Sequence, residues 1–275
     1  MLVQDSGKLD KWVDHLTKVE IPVLRQTARK LSDLSSNIEN QTPRSIAQVI
    51  KSDPLMIVKL MRYLQANKQR AQEHEIVEVE QALMMLGLEN ALEKVPARPL
   101  VEDVLGHEHR NALVYLLKVA QRAKAASNYA FDWAVRLHDL HYEEVRIAAL
   151  LHDIAEMLMW CFSPKEMLMI RMLQTRDKAL RSHHAQEKIL GFALHDLQLA
   201  LTIKWKLPEL LVHLINDEYR NQQRVRNVFL AVNLARHSAN GWDDAALPDD
   251  YVEIGNLLHL RPEEVTAIVG VDKKT

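Results

Sequence analysis

Asp53-Pro54 sets the pattern that governs this chain: a short polar side chain, a proline, then apolar residues at helical spacing. Behind the pair, Ile57, Leu60, Met61 and Leu64 fall at i, i+3, i+4 and i+7, which places them on one face of a helix. Proline is tolerated there because the first backbone N–H groups of a helix have no intrahelical partner. Ser163-Pro164-Lys165-Glu166 repeats the device, and Glu166, three residues after Ser163, completes the spacing of a capping box. Pro43 and Pro262 likewise follow plausible helix starts, and Val79, Ala82, Leu83 and Leu86 form a further stripe that Gly87 ends. Sheets and their tight turns need β-branched, aromatic and glycine residues, yet the chain has only 7 glycines and 5% aromatics. The expected fold class is therefore all-α.

Further helices are expected near 110–138, 142–161, 164–175, 178–190, 194–206, 208–220, 223–239 and 249–270. The stretch EKVPARPLVEDVLGHEH holds two prolines and a glycine, so residues 94–108 read as a connection between two helical subdomains, 1–108 and 109–275. A length of 275 residues is enough to bury a sizeable core. With 35 basic against 37 acidic side chains the formal net charge is -2, so no global field attracts nucleic acid or an acidic membrane. Cys161 is the sole cysteine, which rules out an internal disulfide or a thiolate metal cluster and suits a reducing compartment. The opening MLVQDSGKLDKW is unlike a signal peptide, and no run of about 18 uncharged apolar residues occurs. These features read as a soluble cytoplasmic protein with no membrane partner.

Four stretches carry a resemblance. VLRQTARKLSDLSS followed by IAQVIKSDPLMIVKLMRYLQAN (46–67) has a helix, then an Asp-Pro within apolar residues, then Asn. IVEVEQALMMLGLENAL (76–92) places Leu-Gly at a helix end, AALLHDIAEMLMW (148–160) contains a His-Asp pair, and EKILGFALHDLQLALTIKWKLPELLVHLI (187–215) has Glu, Leu-Gly-Phe, His and Trp-x-Leu-Pro in order. In these the chain resembles the HDOD proteins, non-catalytic relatives of the HD phosphohydrolases found in bacterial signalling. The likeness covers roughly residues 20–240. It implies an N-terminal helical subdomain packed on an HD-like helical core, the whole chain making one HDOD unit.

A hydrolytic HD site needs several ligands converging from different helices so that a divalent cation can polarise a phosphoryl oxygen and acidify a bound water. By the resemblance, His152 and Asp153 match the central pair and His195 stands at the later histidine. The other positions depart. Residues 113–131, which should carry the first histidine, read LVYLLKVAQRAKAASNYAF. Asn216-Asp217-Glu218 replaces a His-His pair, Asn233 replaces the late aspartate, and Ala155 and Glu156 stand for glycine and lysine. Asparagine binds a divalent cation more weakly than carboxylate does. The expectation is no catalytic residue, no bound metal and no cofactor, with His152 and Asp153 as an inherited pair serving a structural role on one helix.

Other features are expected to be bland. His183-His184 reads as solvent-facing, and His107 and His109 lie in the connecting segment. Met157, Met159, Met167, Met169 and Met172, like Met84-Met85, suit a core, although methionine also serves adaptable protein-binding surfaces. Lys118, Arg122, Lys124 and Arg136 read as a solvated face.

The function expected is a regulatory signal-transduction module that binds a partner protein of unknown identity, with no nucleic acid bound. The rivals are a residual metal-dependent phosphohydrolase and a small-ligand or nucleotide sensor using the space near His152, Asp153, His195, Lys204 and Trp205. Composition leaves the oligomeric state open.

Overall fold

The computed structural model of the chain describes residues 6–67, 78–177 and 179–271. Ile76 and Val77, at the start of one family-like stretch, and Lys178, at the start of an expected helix, lie outside them, as do residues 1–5. In chain order the helices are α1 (Ser6–Lys18), α2 (Arg25–Ser35), α3 (Pro43–Ile50), α4 (Pro54–Ala66), α5 (Val79–Leu86), α6 (Leu88–Lys94), α7 (Val101–Leu105), α8 (Arg110–Arg136) and α9 (Tyr142–Leu151). There follow α10 (Ile154–Phe162), α11 (Pro164–Arg176), α12 (Ser182–Leu190), α13 (Leu194–Lys204), α14 (Glu209–His213), α15 (Gln223–His237), α16 (Leu247–Leu258) and α17 (Pro262–Val269). Among the described residues there is no strand, only a parallel bridge between Val23 and Leu100. The fold is all-α.

Local capping explains several helix starts. Asp53 accepts from the N–H groups of Leu55 (3.0 Å) and Met56 (3.2 Å), as a helix N-cap should. The reciprocal capping box lies at Thr42 and Ser45, each side chain accepting the other's backbone N–H. Ser163 departs from expectation: its hydroxyl donates to the Glu166 carboxylate at 2.8 Å and caps no N–H group. Gly87 ends α5 with φ of 76°, where a side chain would be strained.

Three expected helices are broken. The 142–161 segment divides at His152-Asp153. The 249–270 segment divides where His259 turns left-handed and Pro262 opens α17. The 208–220 segment keeps only α14, after which Asn216 accepts from the Glu218 N–H in a tight turn.

The chain forms two compact units, one made of residues up to 120 with 153–207, the other of 121–152 with residues from 208 on. This is not the division expected at residue 108. The 94–108 segment is no linker, because it is hydrogen-bonded into the first unit: Val23 N–H donates to Pro99 O (2.9 Å) and Val101 N–H donates to Val23 O (3.0 Å). Val101 and Leu105 are buried, and α7 packs on α10.

In the first unit α10 is the central element, in contact with α4, α7, α11 and α13. All its residues are buried except Glu156 and Phe162, which are partly exposed. A helix apolar on nearly every side belongs in a core, and each fully buried large side chain contributes about 1.5–3 kcal/mol. In the second unit α15 packs on α9, α14 and α16, and α16 carries α17. Asn227 of α15 donates to Ala130 O of α8 at 3.1 Å within that core.

Candidate functional site

His152 and Asp153 occupy the two-residue joint between α9 and α10. His152 keeps helical angles as the last residue of α9 (φ -53°, ψ -41°), and Asp153 leaves them (φ -105°, ψ 26°). The pair therefore does not sit within one helix, as the unbroken apolar periodicity of Leu150, Leu151, Ile154 and Leu158 predicts. Both residues are half-buried, and neither lacks an interaction partner.

The Asp153 carboxylate stands at the N-cap position of α10 without making a capping bond. Gln198, from α13, does that instead: its Oε1 accepts the Ala155 N–H at 2.9 Å, and the residue is only 6% exposed. A buried N–H without an acceptor would cost about 1–3 kcal/mol, so Gln198 is what lets a second helix begin immediately after the His-Asp pair. One turn along, Glu156 accepts from the Trp160 indole at 3.3 Å.

The remaining residues of the expected site point elsewhere. His195 lies in the first turn of α13 with its side chain 62% exposed, and its Nδ1 is 3.4 Å from Asp196 Oδ1. Lys204 is exposed. Trp205 is buried, its indole N–H donating to Thr17 Oγ1 at 3.1 Å while the Arg62 guanidinium lies 4.9 Å from its ring, so it lines no open space. Asn216 belongs to the exposed turn described above. Among the described residues no three His, Cys, Asp or Glu side chains are grouped as metal ligands. His183 and His184 are solvent-exposed, with ring centroids 4.0 Å apart.

Three arrangements have no signal in residue spacing. Asp53 is fully buried and also accepts the Leu24 N–H at 2.9 Å. Burial raises its pKa, and the bonds from Leu24, Thr27, Met56 and Leu55 oppose that rise. In the second unit, His237 Nδ1 lies 2.6 Å from Asp250 Oδ2; burial raises the Asp250 pKa against the pull of His237. In the same unit Arg224 Nε donates to Asp139 at 2.9 Å beside an open hollow of about 520 Å³, lined by residues 137–141 and 222–224.

The HDOD domain family matches residues 21–221. The chain belongs to the HDOD family. This HDOD chain is similar in fold to the MmoQ response regulator of Methylococcus capsulatus, with a TM-score of 0.69, 18% identity, and coverage of 92% of this chain and 99% of that one. It is also similar to a virulence factor of Campylobacter jejuni, with a TM-score of 0.68 and 17% identity over 97% of this chain and 92% of that one. A third likeness is to an HDOD domain protein of unknown function from Geobacter sulfurreducens, with a TM-score of 0.50 and 16% identity over 98% and 96% of the two chains. No curated protein matches.

Proposed function

We propose that this HDOD chain is a non-catalytic regulatory module of signal transduction that acts by binding a partner protein. The observation that carries the reading is the use made of the His-Asp pair. His152 and Asp153 form the joint between two helices, the helix behind them is capped by Gln198, and His195 is turned to solvent. A hydrolytic centre needs its ligands aimed at one point. Here the residues that would supply them serve helix ends and surface. Likeness in fold to a response regulator is consistent with this role and names no partner.

The test is elemental analysis of the purified protein, before and after incubation with manganese, iron or zinc, together with turnover of nucleotides and phosphomonoesters. The expected result is no stoichiometric metal and no turnover, with Asp153→Ala lowering the melting temperature and altering nothing else. Metal near one equivalent that disappears in Asp153→Ala, or turnover that does so, would overturn the reading in favour of a metallophosphohydrolase.

A further inference from the structure

Five methionines lie between residues 157 and 172, and the structure sorts them into two groups. Met157, Met159 and Met167 are buried, whereas Met169 and Met172, both on α11, are 48% and 49% exposed. Lys165, Met169, Met172 and Arg176 follow one another at intervals of four, three and four residues, so they form one stripe along the outer face of α11. At 1.5 Å per residue the stripe runs about 16 Å, or three turns.

Charge distinguishes this stripe from an incidental apolar surface. Lys165 and Arg176 cap its two ends, both exposed, and among the described residues no ion pair takes up either. The one acidic side chain of α11, Glu166, is held by the Ser163 hydroxyl. A chain of formal charge -2 thus presents here a positive strip with a methionine centre. The strip is rigidly mounted: the Arg171 guanidinium lies 5.2 Å from the Tyr115 ring, which stacks on buried Trp160 of α10 at 5.0 Å.

We infer that this face of α11 docks an acidic amphipathic helix of a partner protein. The inference rests on the reading of the chain as a protein-binding module. Methionine side chains adapt to the partner's apolar stripe, while Lys165 and Arg176 meet carboxylates on its flanks. An anionic membrane shares the charge argument, but insertion into the headgroup region favours Trp, Phe and Leu along the face, which this stripe lacks.

The probe is a labelled Ala/Leu/Glu peptide of about 18 residues, with Leu at i, i+3, i+4 and i+7. It is titrated with the full chain, beside the same peptide with Lys for Glu and vesicles of phosphatidylcholine and phosphatidylglycerol. The acidic peptide is expected to bind, more weakly as salt rises, and Met169→Glu with Met172→Glu is expected to weaken it about tenfold or more. Lys165→Glu with Arg176→Glu flattens the salt dependence. Equal binding of the basic peptide, binding untouched by either double variant, or capture by vesicles in place of peptide overturns the inference. A photo-crosslinking residue placed in cells at Met172, and separately at Val252 on α16, tells the two readings apart. Adducts at Met172 that map to an acidic amphipathic segment support the inference. Adducts only at Val252 overturn the α11 surface and leave the protein-binding reading standing, whereas none at either position counts against both.

Discussion

The indole N–H of Trp205 donates to Thr17 Oγ1 at 3.1 Å, joining the residue that ends α13 to the last turn of α1. The Thr17 hydroxyl donates in turn to Val13 O at 2.7 Å. The Arg62 guanidinium, 4.9 Å from the same ring, donates to the carbonyls of Leu16, Thr17 and Val19, so one aromatic residue and one cation close the end of α1. Trp205→Phe keeps most of the buried area and loses the bond, and is expected to cost about 1 kcal/mol. Trp205→Ala opens a cavity and is expected to cost about 3–5 kcal/mol. Urea unfolding measures both, and a Trp205→Phe variant as stable as the wild type would show that the bond to Thr17 contributes nothing.

Asp53 is the next most exacting position. Its carboxylate accepts from Leu24, Leu55 and Met56 N–H groups while fully buried. Asn offers one acceptor oxygen and turns an NH2 group toward donors, so Asp53→Asn is expected to lose about 2–4 kcal/mol. Burial raises the pKa, so the folded chain holds this proton at a pH where the unfolded chain has released it. The contribution is fully present below the ordinary aspartate range and declines as pH rises to the folded value, after which it is constant. The wild-type advantage over Asp53→Asn should therefore narrow as pH rises above the ordinary aspartate range, from about 4 upward. An advantage that widens over that range would refute the assignment.

What was legible in the sequence was what is decided locally. Asp53-Pro54 and Gly87 act within three or four residues of themselves, and both mark real helix ends. The break at His152-Asp153 was not legible, because the apolar stripe continues through it and the acceptor that permits it arrives from Gln198, 43 residues on. The 94–108 segment looked like a linker for the same reason: its prolines are local signals, while its bonds to Val23 are not. Residue types at family positions identified His195, but its outward direction depends on which face α13 buries. The methionines of α11 share a composition with those of α10, and only packing separates surface from core.

Cys161 is buried in α10, and burial, with the charge of Asp53 as a smaller cause, pushes its thiol pKa up. The thiolate is the reactive form, so alkylation by iodoacetamide at pH 8 should be limited by unfolding. The folded chain keeps its proton where the unfolded chain ionises, so stability falls as pH rises above about 8.5, and Cys161→Ala removes that slope. Rapid labelling of the native protein, tracked by mass spectrometry, would contradict this.

Gln198→Ala removes the acceptor for the Ala155 N–H and is expected to cost about 1–2 kcal/mol, with faster amide exchange concentrated in the first turn of α10. Gln198→Glu retains an acceptor at the helix N-terminus and should recover part of the loss. Exchange followed residue by residue is the deciding measurement. Protection unchanged at Ala155 in Gln198→Ala would mean that the joint after the His-Asp pair is held by other groups.

Arg224 and Asp139 test the second unit. Arg224 Nε donates to Asp139 Oδ2 at 2.9 Å and Nη1 to Glu144 at 3.4 Å, while Asp139 also accepts the His141 N–H at 2.9 Å. Residues 137–141 are thereby tied to the start of α15, and with it one wall of the open hollow to the other. The two carboxylates are 11% and 17% exposed, but the Arg224 side chain is 37% exposed, so solvent screens the pair and the coupling is expected to be about 1 kcal/mol. A double-mutant cycle with Arg224→Ala and Asp139→Ala isolates that energy. Repeating it in about 1 M salt should shrink the value, because a partly exposed pair is screened there. A coupling near zero at both salt concentrations would assign the position of residues 137–141 to the His141 N–H bond and to local turn geometry.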